Sequence, residues 1–257
     1  MPERNYGFAV GRIRVLETRL LDRGRLERMA EAADLGETLA LLGETEYGPL
    51  VAAGTKPMEI AGAELARVRD LVLNLAPDAP EVDFLLWRWD LLNLKALLRR
   101  EIGEPSLNRL GRYTPQEMTG WFASGSPALP EFFTLARQAG EAAFAKSGDA
   151  QMLDAAIDRI YYGHGAAAWQ DPESFLPSYW AARIDLINLR TLIRGKHLGF
   201  DRARLAGLLL PGGLVAPDRT LASLDDSWEE IAAWWGQGPY GTVVQACGSL
   251  ADLASLE

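Results

Sequence analysis

Residues 88–99 read Arg88-Trp-Asp90-Leu-Leu-Asn93-Leu-Lys95-Ala-Leu-Leu-Arg99, and residues 183–194 read Arg183-Ile-Asp185-Leu-Ile-Asn188-Leu-Arg190-Thr-Leu-Ile-Arg194. The Arg, Asp and Asn positions and the final Arg are identical, and Lys95 faces Arg190 in the alignment. In both stretches the leucines and isoleucines recur at spacings of three and four, which places them on one helix face. Val10, Ile13, Leu16, Leu20 and Leu21 give the N-terminal segment the same period. Arg12-Ile13 aligns with Arg183-Ile184, a weaker third copy.

A second element repeats. Leu41-Leu-Gly43-Glu-Thr-Glu-Tyr47-Gly48 aligns with Trp234-Trp-Gly236-Gln-Gly-Pro-Tyr240-Gly241, and Trp121-Phe122-Ala-Ser-Gly125 is a degenerate middle copy. The order is a long helix followed by an apolar pair and a glycine turn, three times. Repeated sequences bury similar faces, so the reading is an all-α fold of three pseudo-threefold-related helical-bundle repeats. The repeats cover about 1–75, 80–145 and 175–257, with residues 146–174 as a connecting helix. Breaks at Gly43 to Gly54, Pro77 to Pro80, Gly103 to Pro105, Ser124 to Pro130, Asp171 to Pro177 and Pro211 to Gly213 divide the chain into about a dozen helical pieces. Thr242-Val243-Val244 is the best strand candidate, and a weak one.

The chain has 257 residues, 48% hydrophobic, with a net charge of −9. That composition fits a folded protein of one or two domains and excludes wholesale disorder. Charge alternates along the chain: residues 1–30, 88–112 and 183–204 are net basic, and 31–87, 113–182 and 205–257 are net acidic. Each basic block is the long helix of a repeat. A comparatively basic surface and a separate acidic one would suit two different partners.

Chemistry-bearing residues are sparse. One cysteine, Cys247, and two histidines, His164 and His197, leave no disulfide, no CxxC site and few parts for a zinc site or a nucleophile. A reducing setting is the simplest one for so little cysteine. Glycines on both sides of His164 suggest a helix end with a capping or partly buried imidazole. His197 ends the third long helix, where a cation suits the dipole. Gly236-x-Gly238-x-x-Gly241 matches the dinucleotide fingerprint as text, but it follows a helical pattern rather than a strand. No GxxxxGK[ST] phosphate loop is present. Ile231–Ala251 is uncharged, yet glycines and Pro239 interrupt it, so it reads as a buried segment rather than a membrane span. The charged N-terminus does not read as a secretory signal. The Trp87/Trp89, Trp121-Phe122 and Trp234-Trp235 doublets read as helix packing rather than base stacking, given the acidic balance. Asp90 and Asp185 could serve as paired acid–base carboxylates or as ion-paired scaffold residues. Because Arg88, Asp90, Asn93 and Arg99 recur together as Arg183, Asp185, Asn188 and Arg194, the scaffold role is the stronger reading.

These features together resemble the C subunit of the vacuolar/archaeal-type rotary ATPase, the counterpart of the d subunit in eukaryotes. The resemblance rests on Tyr6-Gly-Phe-Ala-Val-Gly-Arg-Ile-Arg-Val-Leu-Glu with the turn at Tyr47-Gly48, on Trp89 to Arg99, on Ala156-Ile-Asp158-Arg159-Ile-Tyr161-Tyr162, which is like the family's LDR-x-YY segment, and on Asp185 to Arg194. It is carried by their order along nearly the whole chain. It implies a funnel of three helical bundles that caps the cytoplasmic face of a membrane rotor ring and seats the central stalk. Such a part is a peripheral, non-catalytic rotor subunit with no cofactor, no metal and no nucleic-acid partner, and a monomer when isolated. This chain is shorter than the family pattern, and its middle glycine turn is degenerate. The alternatives are a helical adaptor for a soluble partner and a helical enzyme using Asp90 and Asp185.

Overall fold

The structure is a computed structural model; it describes residues 6–51, 56–77, 79–99, 106–169, 171 and 173–246. Among these the chain is all helical. Two compact units form, residues 1–90 with 108–114, and residues 91–107 with 115–257.

The first unit opens with α1 (Gly7–Glu17), α2 (Arg23–Ala30) and α3 (Leu35–Gly43). Aspartates start the second and third. The Asp22 carboxylate accepts from the Arg25 N–H at 2.8 Å, and the Asp34 carboxylate from the Glu37 N–H at 2.9 Å. Each satisfies an amide that the first helical turn leaves without a partner. A short 3-10 turn, Gly48–Leu50, follows. α4 (Pro57–Leu75) begins on a proline, whose missing N–H costs nothing at that position. α5 (Pro80–Leu98) starts the same way and carries the first Asp–Asn stretch. It buries Phe84, Leu91, Leu94 and Leu97.

The second unit contains α6 (Pro115–Ser124), α7 (Glu131–Ser147) and α8 (Ala150–Ala168). α7 and α8 form a tight helical hairpin. Gly148 takes the left-handed conformation (φ 66°), and the Asp149 carboxylate caps α8 through the Gln151 N–H. The helices approach closely because α7 offers Gly140, where an added Cβ would sit 3.0 Å from the Ile157 side chain. Lys95 Nζ of α5 meets the Asp158 carboxylate of α8 at 2.6 Å, and Arg99 pairs with Asp154 one turn away.

α9 (Leu176–His197) carries the second Asp–Asn stretch. α10 (Arg202–Leu208), α11 (Pro217–Ala222), α12 (Trp228–Gly236) and α13 (Gly241–Ala246) follow. Leu189, Leu192, Ile193, Leu205, Leu209, Ile231, Trp235 and Tyr240 form one buried cluster. Ser227 and Glu230 close the start of α12 reciprocally: Glu230 accepts from the Ser227 N–H at 2.7 Å, and the Ser227 hydroxyl accepts from the Glu230 N–H at 3.3 Å.

Two local expectations change, those on Thr242-Val243-Val244 and His164, and one on Gly236–Gly241 holds. Thr242-Val243-Val244 is not a strand; it lies in α13, where the Val244 N–H donates to the Tyr240 carbonyl at 3.0 Å and Val244 packs on the buried cluster. Tertiary packing overrides the β preference of valine here. His164 does not end a helix. It lies inside α8, exposed, with its ring stacked on Phe132 at 5.2 Å. Glycine lowers helix stability but does not stop a helix whose neighbours are packed, and Gly165 is buried. The Gly236–Gly241 stretch joins two helices, α12 and α13, and no strand precedes it among the described residues. Gly54, Gly103 to Pro105 and Cys247 to Ala251 lie outside the described residues. Among the described residues no helix is long and apolar enough to cross a membrane.

The glycine turn repeats in space as well as in text. A Cβ at Gly48 would strike the carbonyl oxygen of Gly43, and a Cβ at Gly241 would strike that of Gly236. The obstacle in both is backbone, which cannot swing aside. Gly48→Ala and Gly241→Ala are each expected to destabilise the fold by about 1–3 kcal/mol, the usual range for overpacking. Gly62→Ala, mid-helix in α4 with nothing within 4 Å of the new methyl, is expected to stabilise by about 0.5–1 kcal/mol. Urea unfolding followed by circular dichroism measures all three; a Gly48→Ala midpoint at or above that of the parent overturns the steric reading.

Candidate functional site

Asp90 and Asp185 are both fully buried, as are Asn93 and Asn188 beside them. A buried carboxylate needs several donors, and each finds them in a loop of the same unit. Asp90 accepts from the backbone N–H of Arg112 (Oδ2, 2.8 Å) and of Tyr113 (Oδ1, 3.1 Å). Asp185 accepts from the N–H of Leu214 (Oδ2, 2.9 Å) and of Val215 (Oδ1, 3.1 Å). The residue before each donor pair is a glycine, Gly111 or Gly213, and a Cβ on either would overlap Asp90 Oδ1 or Asp185 Oδ1. Four residues after that glycine comes a proline that begins a helix: Pro115 of α6 and Pro217 of α11. The two anchors are thus one motif: a helical aspartate, a Gly-x-x-x-Pro loop, and two amides in the same order on the same oxygens.

Neighbouring side chains complete each anchor differently. In the first unit Arg69 of α4 donates from Nε to the Gly111 carbonyl at 2.9 Å, and Arg112 pairs with Asp83 at 2.6 Å. Asn108 donates to the Trp89 carbonyl at 3.2 Å. In the second unit Asn188 makes both halves of a pair with Leu210: its amide donates to the Leu210 carbonyl and its oxygen accepts the Leu210 N–H, each at 2.8 Å. The Tyr240 hydroxyl adds a further donor to Asp185 Oδ2, at 2.5 Å. Tyr240 belongs to the glycine turn, so the two repeated elements of the sequence meet at Asp185.

Ion pairs between the repeated arginines and aspartates are therefore replaced by amide-to-carboxylate bonds. Amides satisfy a buried carboxylate without taking a second charge out of water, which would cost several kcal/mol more. Arg88 is exposed and lies over the Trp89 ring at 5.5 Å; Arg183 lies beside the Tyr162 phenol. Arg99 pairs with Asp154, and Arg194 lines a cavity along α9. The tryptophan doublets divide between core and rim: Trp235 is buried and Trp234 sits edge-on to it beneath the Arg219 guanidinium, while Trp121 is buried edge-on to Phe133. Among the described residues no group of three or more His, Cys, Asp or Glu side chains is arranged to hold a metal ion.

Burial pushes the Asp90 carboxyl up to about 7, against the opposing pull of the Arg112 and Tyr113 amides and of the Arg69 and Arg112 charges. Burial also raises Asp185, against the Tyr240 hydroxyl and the loop amides, and burial together with the same contact raises the Tyr240 phenol. A raised carboxyl is one mark of an acid–base catalyst. Here both carboxylates are directed into their own loops, with glycines flush against them, which is the geometry of a structural tie.

One further repetition is missed when copies are sought at a fixed offset. Asp22-Arg-Gly-Arg-Leu26 and Asp201-Arg-Ala-Arg-Leu205 match, and both aspartates cap the helix that follows, α2 and α10. The matching text was visible; its spacing from the long helix differs between copies, which hid it.

With these geometries in place, comparison with known proteins adds the lineage. Residues 9–257 match the family model described as ATP synthase (C/AC39) subunit. The C subunit of the A-type ATP synthase of Thermococcus kodakarensis is 25% identical over 251 residues, covering 86% of this chain and 68% of that protein. The C subunit of the A-type ATP synthase of Desulfurococcus sp. (strain SY) is 24% identical, covering 93% and 70%. The C subunit of the V-type ATP synthase of Deinococcus radiodurans is 27% identical, covering 83% and 65%. This chain spans about two thirds of the length of these relatives.

The anchor chemistry sets a pH dependence. An unfolded aspartate titrates near ~3.9, so between about pH 4 and pH 7 the native state holds a proton at Asp90 that the unfolded chain has lost. Its stabilising contribution is complete below that window and is lost as pH rises through 7. Asp90→Asn is expected to remove this slope. Between pH 5 and pH 7.5 the parent's unfolding free energy should fall more than the variant's, by on the order of 1–4 kcal/mol. Urea titrations at the two pH values measure it, and parallel slopes would sink the assignment.

Proposed function

The chain belongs to the ATP synthase (C/AC39) subunit family, and from that premise we propose that it is a non-catalytic central-rotor subunit of a V/A-type rotary ATPase. In that role it couples the central stalk on the soluble side to the membrane rotor ring, during ion transport that drives or is driven by ATP. Its place is the cytoplasmic face of the membrane, as a peripheral subunit, with no nucleic-acid partner, and it is a monomer when isolated. The three related helical repeats, about residues 1–75, 80–145 and 175–257 with 146–174 between, form a funnel in this reading. Arg88, Asp90, Asn93, Arg99, Arg183, Asp185, Asn188 and Arg194 are its scaffold.

The observation that carries the reading is the family match across residues 9–257. The buried anchors support it. A coupling part needs stiffness, and Asp90 and Asp185 each tie a long helix to a loop by two amides. Their burial suits a tie better than a reacting group. The alternation of basic and acidic blocks along the chain, less what internal ion pairs consume, is the source of charge from which two unlike surfaces would be built in this reading.

Affinity purification of the tagged protein from gently solubilised membranes of its own source, with mass spectrometry of the eluate, tests the role. Stalk and ring subunits are expected to co-elute. The protein alone, or with soluble partners only, would overturn it.

A further inference from the structure

An open groove of about 430 Å³ lies within the first unit, between α1 and α4. α1 contributes Ile13, Leu16 and Leu20 to its wall, and α4 contributes Val68, Leu71 and Val72. Their spacings of three and four put each set on one helix face. Ile13, Leu20 and Val68 stay exposed, so the described part of the chain does not cover this apolar surface. Tyr47 of the first glycine turn also lines the groove.

Most charges of the wall cancel in pairs. Glu17 meets Arg14 at 2.8 Å, Glu46 meets Arg19 at 3.0 Å, and Glu64 holds Arg67 through both oxygens, at 2.7 and 2.6 Å. The carboxylates nearest along the chain are engaged too: Asp70 by Arg69, and Asp22 by the Arg25 N–H. Glu44 lines a separate small pocket with Arg25 and Arg28. Arg12 lines the groove and meets no hydrogen-bond or ion-pair partner among the described residues. One positive charge is left over.

The Tyr47 hydroxyl is left over as well. In the other copy of the turn, the Tyr240 hydroxyl donates to Asp185 of α9 at 2.5 Å. The alignment of Arg12 with Arg183 puts Arg14 at the place of Asp185, and Arg14 turns to Glu17. The Tyr47 hydroxyl therefore lacks the carboxylate that its counterpart has, and among the described residues no other hydrogen-bond partner replaces it.

We propose that the groove between α1 and α4 is a binding site for a fatty acid, whose tail lies along the apolar walls and whose carboxylate is held by the Arg12 guanidinium and the Tyr47 hydroxyl. The incoming carboxylate takes the role toward Tyr47 that Asp185 takes toward Tyr240. Aliphatic walls suit a hydrocarbon tail. A single spare cation and a single spare hydroxyl suit one carboxylate. The volume falls in the range of small-molecule sites, about 300–1,000 Å³. One turn of a helix, about 10 Å across with its side chains, would fill it, so a slender chain fits better than a docking helix. The groove belongs to the first unit alone, so the site holds or fails independently of the rotor role.

The probe is decanoate, kept below its micellar concentration and titrated into the isotope-labelled full chain at neutral pH. Binding is read from the methyl resonances of Ile13 and Val68. Decan-1-ol, with an equal tail and no charge, is the control. Decanoate is expected to bind about five- to thirtyfold more tightly than the alcohol, the range for a partly exposed charge pair with one charge-assisted hydrogen bond. Arg12→Gln, at an exposed position, and Tyr47→Phe, which keeps the ring, are each expected to reduce that difference and together to remove most of it. The rest of the spectrum should stay in place. Equal binding of acid and alcohol, no effect of either variant, or shifts confined to methyls outside the groove overturns the site. Tighter binding of an acetylated trileucine with a free carboxylate than of decanoate overturns the fatty-acid occupant in favour of a protein C-terminus.

Discussion

A carboxylate with no water around it must be given donors or a proton, and this chain gives it the amides of a loop. That constraint orders much of what surrounds it. The loop must bring two consecutive N–H groups to one side chain, so the residue before them is glycine, because a methyl would occupy the carboxylate's place. The loop must then leave at once, and a proline starts the next helix. The helix carrying the aspartate must be buried on that face, and Leu91, Leu94, Leu97 in α5 and Leu189, Leu192, Ile193 in α9 line up accordingly. Stabilisation comes with a penalty for the charge, which is why Asp90 holds its proton to about pH 7.

Much of the fold was legible in the order of residues alone. Spacings of three and four announced helices, and the recurrence of Asp and Asn marked positions that the structure buries in both copies. What the residues did there was not legible. Aspartate and arginine in a repeated pattern suggest each other as partners, yet the actual donors are backbone amides, which nearly every residue carries and no sequence marks. The Gly-x-x-x-Pro loops follow their aspartates after 21 residues in one copy, Asp90 to Gly111, and 28 in the other, Asp185 to Gly213. A fixed-offset comparison passes over them. Val243-Val244 and the glycines around His164 mislead for a different reason: local propensity is worth no more than about 1 kcal/mol per residue, and packing outweighs it.

Charge alternation also changes meaning at the level of side chains. The basic and acidic blocks of the sequence are not simply two surfaces. Part of each is consumed internally, as α5 cations meet α8 carboxylates and Arg202 and Arg204 meet Asp225 and Asp149. Only what remains after such pairing is available to a neighbour.

The separation between aspartate and loop has a consequence for how such a chain can change in length. Drawing 28 residues into a closed loop rather than 21 costs only about 0.3 kcal/mol more in chain entropy, since the cost grows with the logarithm of length. Each tie is therefore a local knot in the folding problem, indifferent to how much polypeptide is threaded between its ends and to what lies beyond it. The stretch between the two ends of such a tie can lengthen or shorten with little effect on the tie itself.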